Sequence, residues 1–340
     1  MAIRDHGVVA FDEYMELALY GPGGFYEEPP VGAEGDFVTS PHIHEVFARL
    51  VGAGLRELRE LLGRPAPLRL TEVGAGDGTL AAGLLRSFAD VGAGADISYT
   101  AVERSPGALR ALREREGVVA VEELPPGSHV VLAHELLDNL PFKLLRDGLE
   151  VRVGLDGDRF VERRTEPDDE LRRLLGEVPP QGETVVPTGA LAFVDLVAAR
   201  LADPGYVLLI DYGAVGEPGG PVHGYQAHRI VDDPFADPGS ADITAGVDLA
   251  WISRRAESHG LTAYPPVSQR HALTELGFEM WIKEELATQA EQLGSNRGIE
   301  AVRTWSGRSR ATLLVDPAAL GRMQWLLLAT EGLPAPSFIA

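Results

Sequence analysis

The 340-residue chain contains no cysteine. That excludes disulfides, thiolate metal sites and a cysteine nucleophile. Long apolar runs are missing too, and nothing approaches the run of about 18 apolar residues that spans a membrane. The first twenty residues carry Asp5, Asp12, Glu13 and Glu16, with no basic stretch leading into an apolar one. No secretory leader and no membrane partner are expected, and the reading is of a cytoplasmic protein. Basic side chains are scarce, 30 against 51 acidic, for a net charge of −21. Such a field disfavours nonspecific nucleic-acid binding and favours a cationic partner, although solubility alone explains most acidic surfaces. The nine histidines include no HExxH. His42 and His44 lie two apart beside a proline, so no metal is expected. Internal repeats and low-complexity tails are absent. The length suits one large α/β domain with insertions, or two domains.

What is present begins with residues 68–80, LRLTEVGAGDGTL. An apolar strand to Val73 breaks into Gly74, Gly76 and Gly78, then continues apolar at helical spacing. Strand, glycine turn and helix open a βαβ unit. Glycine can take positive φ and lets a ligand touch backbone, and the new helix points free N–H groups at the turn. A dinucleotide fold wants G-x-G-x-x-G, and a phosphate cradle ends in GK[ST]; this turn is G-x-G-x-G. The next strand ends in Glu103, whose carboxylate can accept both ribose hydroxyl protons. Glu72, the glycines and Glu103 together resemble class I S-adenosylmethionine (SAM)-dependent methyltransferases. A plain tight turn with a surface glutamate is the competing explanation.

In chain order, residues 11–20 read as an amphipathic helix stopped by Gly21-Pro22-Gly23-Gly24. Residues 45–62 read as a second helix. After the glycine turn come a strand ending at Glu103, a helix over 106–116 and a strand over 118–121. The buried strand 129–133 runs into His134-Glu135-Leu136-Leu137-Asp138-Asn139-Leu140-Pro141. Short antiparallel strands are expected at 142–145, 150–153 and 159–161. A polar helix and loop follow over 166–182, then a helix over 191–201 terminated by Asp203-Pro204-Gly205. Residues 206–210 are a buried strand ending at Asp211, and 216–239 read as a long loop. Helices at 248–259, 270–276 and 294–305 and a strand at 323–329 complete the chain. Alternating strands and helices imply a mostly parallel sheet covered on both faces, with ligands at the strands' carboxyl ends.

Glu135 and Asp138 follow a buried strand; a separation of three puts them on one helical face. Such a carboxylate pair can orient a guanidinium or accept a proton, while capping by Asp138 beside a solvated Glu135 weighs about equally. Asp36 and Thr39 sit beside glycine and proline, where loops hold ligands. A turn-stabilising role competes for Asp36. Asp211 has a turn as its alternative, and Asp242, just before a helix, has an N-terminal cap.

The ordered set of motifs is more specific than any one of them. Tyr14-Met15, Tyr20-Gly21-Pro22-Gly23-Gly24-Phe25-Tyr26 and Gly35-Asp36-Phe37-Val38-Thr39-Ser40-Pro41 come first. The glycine turn, Val102-Glu103-Arg104-Ser105-Pro106 and Glu135-Leu136-Leu137-Asp138-Asn139-Leu140-Pro141 follow. Asp211-Tyr212-Gly213, Asp242-Ile243-Thr244 and Val247-Asp248 close the order. Over nearly its whole length the chain resembles the MidA-like family of SAM-dependent methyltransferases. The resemblance implies a Rossmann-like, seven-stranded α/β fold with an N-terminal helical segment (1–66) contributing to the SAM site. The core would comprise 67–140, 187–213 and 247–330, with insertions 141–186 and 214–246 forming the substrate region. It implies SAM contacts from Gly35, Asp36, Thr39, Glu72, Gly74, Gly76, Gly78 and Glu103. Glu135 and Asp138 would be catalytic, with Asp211, Tyr225, His228 and Asp242 facing the substrate. The implied reaction is N-methylation of an arginine on a protein or peptide; a homodimer stays open. The chain departs from the family where His134 replaces Asn and Gly246 replaces His. A small-molecule N- or O-methyltransferase of specialised metabolism and a noncatalytic SAM-binding assembly protein therefore stay open.

Overall fold

The computed structural model describes residues 7–27, 39–92, 94–176, 181–216, 221–226, 229–231 and 233–340. Gly35, Asp36 and His228 lie outside the described residues.

Apolar runs bounded by turn residues form the central sheet. Its strands are β1 (Leu68–Val73), β2 (Ile97–Val102), β3 (Val118–Val121), β4 (Ser128–His134), β5 (Leu201–Asp211), β6 (Thr262–Ala263), β7 (Val267–Ser268) and β8 (Gln324–Ala329). Their spatial order is β3-β2-β1-β4-β5-β8-β6, with β7 also on β8. From β3 to β5 the neighbours are parallel, while β8 runs antiparallel to β5. Because β6 and β7 share one position beside β8, the sheet has the seven positions that the family resemblance implies.

Both faces of this sheet are covered, which is why its strands read as unbroken apolar runs. Along β5, Tyr206, Leu208 and Ile210 pack in the core cluster with helices Val46–Leu61 and Thr79–Asp90. Val207 and Leu209 face the opposite cluster with helices Thr188–Arg200 and Leu249–Ser258. The expected stop at Asp203-Pro204-Gly205 is corrected: these residues lie inside β5, where the register with β4 shifts between Leu201 and Tyr206. An irregularity there lets a proline sit near the start of a strand.

A second, antiparallel sheet joins Lys143–Arg146, Leu149–Asp156, Arg159–Thr165 and Glu183–Val186 to Val8–Ala10 at the chain's beginning. Helix Phe11–Tyr20 packs onto it through Phe11, Tyr14, Met15 and Leu19 against Phe142, Leu144, Val151 and Val153. The long loop expected over 216–239 is also corrected. Its described part contributes His223–Gln226 and Arg229–Val231 to a three-stranded sheet with Asp242–Thr244. Helix Phe278–Gly294 escaped the sequence reading because only Phe278 and Trp281 on it are buried, too few to make a repeating stripe.

The order of strands reverses between β1 and β4. Their carboxyl ends therefore diverge into two loops with a crevice between them. One loop is the glycine turn; the other begins at Glu135.

Candidate active site

The glycine turn is shaped by backbone constraints. Gly74, Gly76 and Gly78 have φ of 74°, 55° and 74°, the left-handed region. The Gly74 N–H donates to the Val102 carbonyl at 2.9 Å, which pins the turn to the end of β2. A Cβ at Gly74 would stand 2.9 Å from Leu136 Cδ1, and one at Gly78 would stand 2.5 Å from Arg115 Nε. A Cβ at Gly76 would meet nothing within 4 Å, because Gly76 borders a cavity of about 1190 Å³.

Glu103 stands on the same wall. Its Oε2 accepts the Gly76 N–H at 2.9 Å, and its Oε1 accepts the N–H groups of Arg104 (2.6 Å) and Ser105 (2.9 Å). A carboxylate has about four lone-pair positions, so one on Oε2 remains for a ligand hydroxyl. Thr39 also borders the cavity. Glu72 and Gly78 are absent from its wall. Glu72 is buried beneath the turn, where its carboxyl accepts the Tyr99 hydroxyl; burial pushes it up to about 8. Its expected cofactor contact is corrected on that ground: the side chain of a strand residue two before the turn points into the sheet's packing layer, not at the ligand. Gly78 instead serves as the left-handed cap of helix Thr79–Asp90.

Across the crevice, β4 is followed by Glu135, a non-glycine residue with φ of 50°. Its N–H still bonds the Ile210 carbonyl at 2.8 Å, so the bend is held by the neighbouring strand. A single helical turn, Leu137–Asn139, then brings Asp138 to the same wall as Glu135. Asp211 supports this loop from below: Oδ2 accepts the N–H groups of Leu136 (3.0 Å) and Leu137 (2.6 Å), and Oδ1 accepts Tyr212 N–H (2.8 Å). Asp211 is buried and does not border the cavity, so its expected substrate contact is corrected to a supporting role.

Asp242 reaches the cavity from the three-stranded sheet. It accepts the Tyr26 hydroxyl at 3.0 Å and the Asn139 side-chain N–H at 2.6 Å. Thr244 donates to Asp138 Oδ2 at 3.1 Å. Tyr20 stacks on Tyr26 at 5.3 Å between ring centroids and carries the Arg104 guanidinium 4.2 Å above its own ring. Tyr225 and His223 complete this side.

Burial without full compensation raises the carboxyls of Glu135, Asp138, Asp242 and Asp211. Glu135 is pushed up to about 8 by burial and then by Asp138. Burial takes Asp138 to about 6, with hydrogen bonds from Thr244 and Asp211 holding it back. Asp242 rises to about 7 through burial and Asp138. Asp211 is well above the carboxylate range for the same two reasons. Beside them burial keeps His134 neutral, lowered to about 3. The pocket end is therefore rich in carboxyls that share protons near neutral pH, a setting suited to a cation or to proton removal.

The geometry thus gathers Thr39, Gly74, Gly76, Glu103, Glu135, Asp138, Tyr225 and Asp242 around one cavity. Sequence reading missed Tyr20, Tyr26, Asn139 and Thr244. Each lies within a motif already singled out, and a buried hydroxyl or amide beside a carboxylate was the available signal. His42 was weighed only as a metal ligand; among the described residues no cluster suits a metal ion.

A glycine backbone, an anchored carboxylate after β2 and a carboxyl-lined end meet in this one cavity at the sheet's switch point, and the chain's class is that of the SAM-dependent methyltransferases. The chain belongs to that class: residues 50–267 match the family model described as "Putative S-adenosyl-L-methionine-dependent methyltransferase". The protein arginine methyltransferase NDUFAF7 homolog, mitochondrial, of Drosophila melanogaster is 32% identical over 94% of this chain and 80% of its own length. The human protein arginine methyltransferase NDUFAF7, mitochondrial, is 27% identical over 83% of this chain and 73% of its own. A crystal structure from Burkholderia thailandensis bound to S-adenosyl-homocysteine (SAH) superposes with a TM-score of 0.82 at 26% identity, covering 99% of this chain and 91% of that one. The cofactor is accordingly SAM. These relatives correct the cytoplasmic expectation, for they are mitochondrial proteins, and the residues of the N-terminus carried no positive evidence for a compartment.

Proposed function

We propose that the methyl acceptor is an arginine side chain of a protein or peptide. The observation that carries this reading is the convergence of the buried Glu135, Asp138 and Asp242 carboxyls on one cavity wall. A planar guanidinium offers five N–H donors to such acceptors. The names of the relatives, protein arginine methyltransferases, support the same acceptor. When bound, SAM supplies an electrophilic methyl group, and the electron pair of its broken C–S bond leaves with sulfur. Glu103 and Gly76 hold the donor's ribose side, and Thr39 lies toward the glycine turn. Asp138 and Asp242 orient the guanidinium so that one nitrogen faces the methyl carbon, which is catalysis mainly by positioning. As the N–C bond forms, the attacking nitrogen gives up a proton, and Asp138 is the carboxylate that takes it. In this reading residues 141–186 and 214–246 form the acceptor side, contributing Tyr225, His223 and Asp242.

Labelled SAM incubated with arginine-containing and lysine-containing peptides tests the assignment, with hydrolysis and identification of the methylated amino acid. Methylarginine is expected. Asp138→Asn should lower the rate about a hundredfold or more while SAH affinity stays within threefold. Turnover should rise from pH 6 to 8, because Asp138, Asp242 and Glu135 ionise across that window and a cation binds better to the ionised wall. The changed positions His134 and Gly246 favour a small-molecule acceptor as the second reading. Label recovered only in small-molecule extract, with none in protein, would replace the first reading by the second.

A further inference from the structure

His42 does not line the cavity, yet it ties Thr39 of the cavity wall to the glycine turn. Its Nδ1 lies 2.9 Å from Thr39 Oγ1, and its Nε2 lies 3.0 Å from Asp77 Oδ2. Thr39 borders the cavity. Asp77 belongs to the glycine turn, where it accepts the Thr79 N–H at 2.9 Å and the Thr79 hydroxyl at 2.7 Å. The next residue after Thr39 reaches the other loop: Ser40 N–H donates to Glu135 Oε1 at 3.3 Å. The segment over 39–43 is thus tied to both sides of the crevice.

With a neutral His42 imidazole, only one arrangement of protons along this chain is consistent. A carboxylate only accepts, so Nε2 of His42 carries the hydrogen toward Asp77. Burial alone would raise Asp77, but the hydrogen bonds from His42 and Thr79 outweigh it and hold the carboxyl below its ordinary range. In the neutral imidazole Nδ1 is then the acceptor. Thr39 must therefore spend its single hydroxyl hydrogen on His42. Toward the cavity its oxygen presents lone pairs and no hydrogen.

We infer that His42 is a positioning residue that makes Thr39 a hydrogen-bond acceptor for the ammonium group of the cofactor's methionyl tail. The tail has two ends of opposite character. Its carboxylate needs donors. Its ammonium needs acceptors, and a threonine whose hydrogen is engaged elsewhere is one. A protonated His42 would reverse the sense, with Nδ1–H donating to Thr39 and the threonine hydrogen turned to the cavity, a match for the carboxylate instead. The inference rests on the SAM assignment and is independent of the acceptor.

The test measures affinity, by titration calorimetry on the full chain, for SAH and for two analogues in which hydrogen replaces either the amino or the carboxyl group. Wild-type protein should prefer SAH over the desamino analogue by about tenfold or more, the usual worth of a charge-assisted hydrogen bond. Thr39→Val should abolish most of that preference while leaving desamino-SAH affinity within twofold. His42→Phe should do the same, and His42→Asn, whose amide oxygen can still accept from Thr39, should restore it. Retained desamino-SAH binding shows that each variant is folded, and if His42→Phe fails to fold, Thr39→Val still decides. An unchanged amino preference in Thr39→Val overturns the inference, as does a loss confined to the carboxyl analogue. Failure of wild-type protein to bind SAH at all would instead remove the cofactor assignment on which it rests.

Discussion

Glu103→Gln isolates the donor end of the site. The wild-type carboxylate satisfies Gly76 through Oε2 and both Arg104 and Ser105 through Oε1. An amide has a single oxygen. If it keeps Arg104 and Ser105, its NH₂ group faces the Gly76 N–H, donor against donor. The turn loses its tether and the ribose loses an anionic acceptor. A charge-assisted hydrogen bond contributes about 1.5–3 kcal/mol, and an ordinary one about 1 kcal/mol. The sum is about 2.5–4 kcal/mol, a loss of SAH affinity on the order of a hundredfold or more. Titration calorimetry with SAH measures it, with a thermal melt of the unliganded protein as the control. The partly exposed Glu103 should shift the melt by no more than a few degrees. An affinity within threefold of wild type would refute the reasoning, because neither the ribose contact nor the tether would then matter.

The glycines should separate binding from stability. Gly76→Ala places a methyl group where nothing lies within 4 Å, at the cavity wall, so it should cost about 1–2 kcal/mol of folding stability through φ alone yet strongly reduce SAH affinity. Gly78→Ala adds collisions with Arg115 and Leu112 to the same backbone strain, and a denaturant titration should show the larger stability loss there; the reverse order would contradict the assignment of the two roles. Glu72→Gln should change how stability depends on pH. The folded value of about 8 exceeds the ordinary 4.5, so this group's contribution is fully present below the ordinary value and is lost as pH rises toward the folded one. With a buried side chain the cost of Glu72 grows from about 1 kcal/mol at pH 5 to about 3 at pH 7 and about 5 at pH 9. The glutamine variant should accordingly gain on wild type with rising pH in urea titrations, and a constant difference from pH 5 to 9 would sink the burial argument.

The departures from the sequence reading share a physical cause. Glu72 looked like a ligand because it precedes the glycines. Side-chain alternation along β1 decides otherwise, and it turns the carboxyl to Tyr99 from β2. Asp211 looked like a substrate residue because it ends a strand, as Glu103 does. Pairing of β5 with β4 sets it beneath Leu136 and Leu137, whose N–H groups it satisfies. Asp242 had a helix cap as its local alternative to the substrate side that the resemblance implies; its antiparallel strand partner His223–Gln226 carries it to Tyr26 and Asn139. Those contacts join residues from 27 to 216 positions apart, distances that local pattern does not encode.

By itself the sequence determined the alternation of buried strands and helices, the glycine turn with Glu103 after it, and the pair Glu135 and Asp138. These are local: periodicity, positive φ and a strand end are properties of a few neighbouring residues. Only the tertiary structure decided which carboxyls share one cavity and which support it from behind. It also decided that burial brings Glu135, Asp138 and Asp242 into the neutral range, and that His42 reaches Asp77. Burial and hydrogen-bond partners depend on how strands order in the sheet. That order placed the glycine turn and the Glu135 loop on opposite sides of one crevice.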